Sequence, residues 1–362
     1  MTMMKTAGIG ALGVLLAGAA VANTATTTQN GSHNAAMVDQ VGSEHTAHVN
    51  TGGDRINFNG DVVLNNNTNS PNFGNPRDPA VAIDHNTVEI TQGGHRHRAL
   101  VNQIRTANTP GAGALNVEIT QLGVANGNNR HTANVLQEDS ADAQAIVTQR
   151  VDGGAQSNTA SITQNRAISS SVEIAQVSGA FDNNASGRQS RRSGVDTANS
   201  TIVISQDSSN GSDNAAVHQQ GATNSSADLS QSDGGDHISR VVQRGDSNSL
   251  QLTQNGARNT AGFNQSGAGI STWLQQEGDL LTAELLQFGN DGEIALRQSG
   301  IGNDADVDQG GDLHLAIIAQ SGDGSGATNR ATITQGVGSG FAASIAQLGG
   351  GGNAAAIVQN GL

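Results

Sequence analysis

Histidine is the side chain here best suited to proton or metal chemistry near neutral pH, and its placement follows a rule. His97, His131, His237 and His314 each stand six residues before a glutamine: Gln103, Gln137, Gln243 and Gln320. Imidazoles recurring at one structural position could line up as metal ligands. The same position is held elsewhere by asparagine, at Asn248, Asn259, Asn303, Asn329 and Asn353. The four histidines do not fall in successive units, so they read as polar residues standing in for Asn. The run His95-Arg96-His97-Arg98 could grip a metal weakly and reads as a strand with exposed charges. Asp and Gly cluster in Gly310-Gly311-Asp312 and Ser321-Gly322-Asp323-Gly324, a chemistry that suits calcium. The calcium-binding nonapeptide that would organise such turns is not repeated. The chain has no cysteine, which excludes disulfides and thiolate metal sites. No nucleophile stands beside a base in any motif context. The expectation is no catalytic residue, no cofactor, no metal site, and a chain that is not an enzyme.

What positions these residues is a repeat that ends in glutamine. Gln243, Gln254, Gln265, Gln276, Gln287, Gln298, Gln309 and Gln320 follow one another at intervals of 11. The same interval separates Gln92 from Gln103 and Gln220 from Gln231, and elsewhere the steps are mostly 12 to 16. Residues before each glutamine alternate: Asn259, Ala261, Phe263, Gln265; Asn303, Ala305, Val307, Gln309; Asn329, Ala331, Ile333, Gln335. Period two is the signature of a strand with one buried face. Ser239, Thr272 and His218 are exceptions at positions otherwise filled by aliphatic side chains. Glycine follows closely at Gly245, Gly256, Gly267, Gly278, Gly289 and Gly300, where positive φ permits a tight turn.

The unit is therefore strand, Gly/Asn turn, strand, and two units of 11 residues make a rung of about 22. The fold class expected is all-β: a β-solenoid of stacked strand–turn–strand rungs with two facing parallel sheets. A single rung cannot stand alone. Burying two aliphatic side chains and two alanines contributes on the order of 5 kcal/mol, whereas ordering its backbone costs roughly 1–2 kcal/mol per residue. Neighbouring rungs must complete the backbone hydrogen bonds. Glutamine lies on the same face as Ile and Val, where an unpaired amide is costly. Identical amides stacked rung on rung satisfy one another, so the glutamines and the five asparagines above are expected to form structural ladders.

Composition agrees. Hydrophobic residues are 35% and aromatics 2% of the 362, with 48 glycines, too little bulk for a thick core. The net charge of −14 and the absence of any lysine beyond Lys5 argue against nucleic acid as a partner. Arg188, Arg191 and Arg192 form one basic cluster, read as a solvated loop. Between Glu277 and Asp312 the sequence is crowded with carboxylates, offset within that span by Arg297 alone. Stacking would bring those carboxylates together, so their repulsion is expected to resist chain addition and to relax in acid.

The pattern Gln-x-Gly-x-x-Asn-x-Ala-x-x-x-Gln, carried by Gln254, Gly256, Asn259, Ala261 and Gln265 and again by Gln298, Gly300, Asn303, Ala305 and Gln309, resembles the curlin repeat of bacterial curli. The resemblance implies an extracellular functional amyloid fibre for biofilm matrix and surface adhesion. As partners it implies further copies of the chain, a nucleator subunit and an outer-membrane secretion pore. A monomeric or nucleator-like solenoid adhesin is the alternative, and an ice-binding solenoid a third. Ice binding is disfavoured because the residues preceding the glutamines form no continuous threonine rank.

Residues 1–22 read as a signal peptide: Lys5, an apolar stretch from Ala7 to Ala20, then Ala20-Val21-Ala22 as a small-x-small cleavage site. No later segment is apolar enough to span a bilayer, so the mature chain is expected to be secreted without a membrane span. Residues 23–43 carry a first repeat unit, and 44–85, with Pro71, Pro76 and Pro79, form an irregular region. Residues 86–362 form the solenoid, degenerate around 177–200. Ala354 to Leu362 is itself a repeat unit, and no capping helix is legible, which points to open ends.

Overall fold

The computed structural model describes residues 23–29, 35–51, 86–104, 106, 117–123, 130–151, 157–177, 182–207, 212–322 and 328–360. The expected signal peptide and the proline-bearing stretch lie outside them. The chain forms a two-sheet parallel β-solenoid, with a 15-stranded sheet facing a 12-stranded one. Successive long strands alternate between the sheets, while the short strands Ala167–Ile168 and Thr197–Ala198 join the larger sheet directly after another of its strands. Ile238–Asp246, Thr260–Ala268, Thr282–Asn290, Asn303–Gly310, Asn329–Gln335 and Ala354–Gln359 lie side by side in the larger sheet. Ser249–Ala257, Ser271–Asp279, Glu293–Ile301, Leu315–Ser321 and Ala342–Leu348 interleave in the chain and lie in the smaller. The strand Thr46–Thr51 joins the larger sheet within the segment expected to be irregular.

Register follows the glutamines. In the larger sheet Gln243 pairs with Gln265, then Gln287, Gln309, Gln335 and Gln359 in turn. The rung is 22 residues where the repeat is strict, as between Gln254 and Gln276. It lengthens to 34 between Gln103 and Gln137 and to 52 between Gln40 and Gln92 without loss of alignment. Insertions are absorbed at the turns, because slipping a strand by one residue would turn its whole inward set outward. The core between the sheets is one continuous stack: four residues before the glutamine stands mostly Ala in the larger sheet and mostly Val, Ile, Leu or Ala in the smaller, and two residues before it mostly Val, Ile, Leu or Phe.

One expected unit shifts. Gln219, not Gln220, occupies the inward position, pairing with Gln189 and Gln243. Ala215 and Val217 fix that choice by supplying the buried pair ahead of it. A bulge between Gln219 and Ala222 absorbs the extra residue. His218 then points outward and is no exception to the inward pattern.

The glycines after the glutamines form a second strict column. Gly256 and Gly278 have φ of 107° and 135°. A Cβ on Gly256 would lie 2.0 Å from the Gly278 carbonyl oxygen, and one on Gly278 would lie 1.9 Å from that of Gly300. Gly245, Gly267, Gly289 and Gly300 continue the column with positive φ. The next left-handed position is glycine in two of these turns, Gly269 and Gly302, but elsewhere is held by non-glycine residues such as Arg258 (φ 57°), Leu280 (58°), Asp291 (53°) and Leu313 (59°). Isolated residues tolerate that conformation at a cost of roughly 1–2 kcal/mol each, and rung stacking enforces it. His95–Arg98 spans such a turn rather than a plain strand: Arg96 has φ 60° and pairs with Glu44, which has φ 58° one rung away.

Gly278→Ala should therefore lower the denaturant midpoint severely, by several kcal/mol or to the point of misfolding. Gly262→Ala should change stability by less than about 1 kcal/mol, since Gly262 is extended and a Cβ there meets nothing within 4 Å. Chemical unfolding of both variants decides between this stacking and a looser turn.

Candidate functional site

The inward amides form two ladders, one behind each sheet. In the smaller sheet Nε2 of each glutamine donates to Oε1 of the next: Gln254 to Gln276 at 2.8 Å, Gln276 to Gln298 at 2.9 Å, Gln298 to Gln320 at 2.9 Å and Gln320 to Gln347 at 2.8 Å. The same nitrogen has a second hydrogen. It goes across the core to a backbone carbonyl of the opposite sheet, as from Gln276 to Thr260 at 3.2 Å and from Gln298 to Thr282 at 3.0 Å. An amide bonded in both directions thus ties neighbouring rungs together and also the two sheets.

The larger sheet carries the second ladder: Gln243 to Gln265 at 2.9 Å, Gln287 to Gln309 at 2.7 Å, Gln309 to Gln335 at 2.6 Å and Gln335 to Gln359 at 2.9 Å. Between Gln265 and Gln287 a hydroxyl is inserted. Gln265 Nε2 donates to Thr272 Oγ1 at 2.6 Å, and Thr272 donates to Gln287 Oε1 at 2.9 Å. Ser239 plays a parallel part, accepting from Gln231 and donating to Gln254 Oε1 at 2.6 Å. These two breaks in the aliphatic pattern are therefore buried hydroxyls that join the ladder of the opposite sheet.

The position six residues before each glutamine is a third column, at the corner of the rung. Its side chain accepts the backbone N–H of its counterpart one rung on. Asn259 Oδ1 accepts from Leu281 at 3.0 Å, Asn248 Oδ1 from Ile270 at 3.0 Å, and Asn329 Oδ1 from Asn353 at 3.1 Å. Asn303 Oδ1 instead accepts the Asn329 amide at 3.0 Å. The Asn353 amide turns back to the Gly349 carbonyl. Serine does the same work in the smaller sheet, where Ser170, Ser200 and Ser225 pass the bond upward.

In the larger sheet this column includes histidines that stand nearer one another than unit-by-unit counting suggests. Two units make a rung, so His45, His97 and His131 fall in successive rungs of one sheet. Their rings stack with centroids 5.1 and 4.7 Å apart. His97 Nδ1 accepts the backbone N–H of His131 at 3.3 Å, and His131 Nδ1 accepts that of Asn158 at 3.3 Å. His97 Nε2 faces the Gly93 carbonyl at 3.0 Å, which assigns its proton to that nitrogen. Parallel stacked rings do not converge on a common point, and among the described residues no three His, Asp or Glu side chains are grouped to hold a metal. Burial pushes His97 down to about 3, reinforced by repulsion from His131 and His45, and burial pushes His131 down to about 4.

The turn glycines of the previous section close each rung beside these columns. Aspartates in the turns are engaged rather than simply crowded: Asp279 accepts the Ala257 N–H and Asp312 that of Asn290, each at 2.8 Å. Periodicity does not single out His45, because its unit ends in Thr51 instead of glutamine. Nor does it single out Asp213, which holds the corner between Asn183 and His237. Both become visible once positions are compared at every second unit.

Fold and ladders together define a parallel β-solenoid held by buried polar columns, with no helix among the described residues long and apolar enough to cross a membrane. The family model described as the curlin associated repeat matches residues 22–51 and 302–328. Those two stretches are similar to the curlin repeat, the family that the glutamine–glycine–asparagine spacing resembles. No curated protein matches the chain.

The histidine column makes stability fall in acid. An imidazole in the unfolded chain titrates near 6.5, and the buried ones titrate lower. Below pH 6.5 the unfolded state binds more protons, so stability is lost as pH falls from about 6.5 through about 4. His131→Asn keeps an acceptor for the Asn158 N–H and removes the titration. The variant's denaturant midpoint should drop less between pH 7 and pH 4 than that of the parent, by on the order of a few kcal/mol in stability. An equal drop would show that this column is not the acid-sensitive element.

Proposed function

We propose that this chain is a structural subunit of an extracellular curli-like amyloid fibre, assembling by rung-on-rung β-stacking to serve biofilm matrix and surface adhesion. The observation that carries the reading is the polarity of the ladders. Every glutamine-to-glutamine bond runs the same way along the solenoid. At one end Gln40 donates to Gln92 at 2.8 Å, and its Oε1 receives no donor among the described residues. At the other, Gln347 and Gln359 each use one N–H on a backbone carbonyl at 3.0 Å and have the second without an acceptor among the described residues. One end offers the Gln40 acceptor and the other the Gln347 and Gln359 donors, so head-to-tail addition of a further copy continues the smaller sheet's ladder and gives the larger sheet's last amide a partner strand.

The outermost described strands support the same reading. Ala36, Val38, Ala355 and Ile357 occupy the inward positions there and remain only partly buried. A stacked copy covers them and pairs the exposed strand edges. The curlin repeat favours secretion and self-association, and carries with it a nucleator subunit and an outer-membrane pore as further partners.

Purified chain should form unbranched fibres whose diffraction shows a reflection at about 4.7–4.8 Å along the fibre axis. Electron microscopy and fibre diffraction after incubation at tens of micromolar test it. A chain that stays monomeric under those conditions contradicts the proposal and favours a monomeric adhesin.

A further inference from the structure

The outer face of the larger sheet carries a charge arrangement that neither the core nor the ladders explain. Three adjacent rungs matter: strands Ile238–Asp246, Thr260–Ala268 and Thr282–Asn290. Outward side chains align in columns across them. Arg240, Gly262 and Glu284 share one; Val242, Asn264 and Leu286 the next; Arg244, Ser266 and Phe288 the third. The rung before the middle strand is basic and the rung after it acidic. The trend extends outward, to Arg188 on one side and Asp304, Asp306 and Asp308 on the other. Between the halves lies an uncharged strip in which Gly262 leaves open space.

We propose that this face pairs with the same face of a second copy, running antiparallel about a two-fold axis that lies along the strand Thr260–Ala268. A rotation about the strand direction reverses the solenoid axis and keeps the columns, so each rung on one side of the middle strand meets the rung on the other side in the partner copy. Arg240 then faces Glu284 of the second copy, Val242 faces Leu286, and Arg244 faces Phe288. One column pairs opposite charges, the next joins aliphatic side chains, and the third sets a guanidinium against an aromatic ring. One rung further out, His218, pushed down to about 4 by burial and the neighbouring arginines, meets Asp308 as a neutral hydrogen-bond partner. By symmetry each contact occurs twice, which makes the interface self-complementary and closed. A two-fold along the solenoid axis would instead set the basic rung against itself, Arg240 opposite Arg244 about Val242, and like charges at that range repel.

Exposure fits the assignment. Arg240 and Glu284 are exposed and make no ion pair among the described residues, and Phe288 is 42% exposed. Burial, with repulsion from Glu284 and Asp308, holds the Asp306 carboxyl above its usual range, a load that is eased when Glu284 is paired with Arg240 of the second copy. Packed sheets are about 10 Å apart and rotated by roughly 30°. The match therefore has to hold only over the central rungs, where Gly262 permits the closest approach. Such pairing is lateral. It joins solenoids side by side and is independent of end-to-end stacking.

Single-cysteine variants test it, since the chain has no native thiol. Gly262→Cys places a thiol on the axis, opposite its own copy. Ala216→Cys lies on the same face two rungs away, about 19 Å from its symmetry mate along the stack. With a short bismaleimide, Gly262→Cys should cross-link at least tenfold faster than Ala216→Cys, whether the sample is soluble or fibrous. Adding Arg240→Glu or Glu284→Arg to Gly262→Cys should each slow cross-linking roughly tenfold, and the two together should restore it. Circular dichroism confirms that each variant retains its sheet structure. Equal rates at the two cysteines, or no rescue by the charge exchange, overturns the antiparallel pairing. Fibre formation by the same variants would leave end-to-end stacking standing on its own evidence.

Discussion

A side-chain amide buried between two sheets has one inexpensive way to be satisfied here, which is another amide one rung away. An unpaired buried amide costs several kcal/mol in an apolar medium, and each glutamine on the inner face presents a carbonyl and two N–H groups. Stacked copies answer the carbonyl and one N–H, and a carbonyl of the facing sheet answers the other. Alignment of every strand follows from that requirement. The rung can swell from 22 to 52 residues and the glutamines still meet. The same demand recruits Ser239 and Thr272, whose hydroxyls take positions where the aliphatic pattern lapses.

The corner column shows how far one geometric solution tolerates different chemistry. Asn, Ser, Asp and His all supply an acceptor to the backbone N–H of the next rung. What they share is a short side chain with a lone pair at the right height above the turn. Histidine alone adds a titratable ring, and three of them in succession give that end of the solenoid a sensitivity to acid that asparagine would not. Where the column passes to Leu281 or Ile270 the acceptor is lost and apolar contact replaces it.

Much of this was legible in the residues. The alternation of Ala and Ile before glutamine gives the strands, the buried face and the two-sheet solenoid, and the spacing carries the likeness to curlin repeats. Other features depend on which units become neighbours. His45, His97 and His131 look scattered along the chain because adjacency in a solenoid skips every second unit. At Gln219-Gln220 two glutamines compete for one site, and only the buried pair Ala215 and Val217 ahead of them decides. The left-handed Leu280 and Leu313 carry no local signal, because their conformation is imposed by the stack. The facing charges of Arg240 and Glu284 likewise appear only when strands 22 residues apart are set side by side.

The central claim is that the inward glutamine amides are bonded to one another and shielded from water. Hydrogen exchange of the side-chain amides, followed by NMR on chain labelled with nitrogen-15 at glutamine, addresses it directly. The amides of Gln254, Gln276, Gln298 and Gln320 should exchange orders of magnitude more slowly than those of the outward Gln251 and Gln275, and on the timescale of global opening. Fast exchange at the inward positions, indistinguishable from Gln251, would contradict the ladders and with them the account of register built on them.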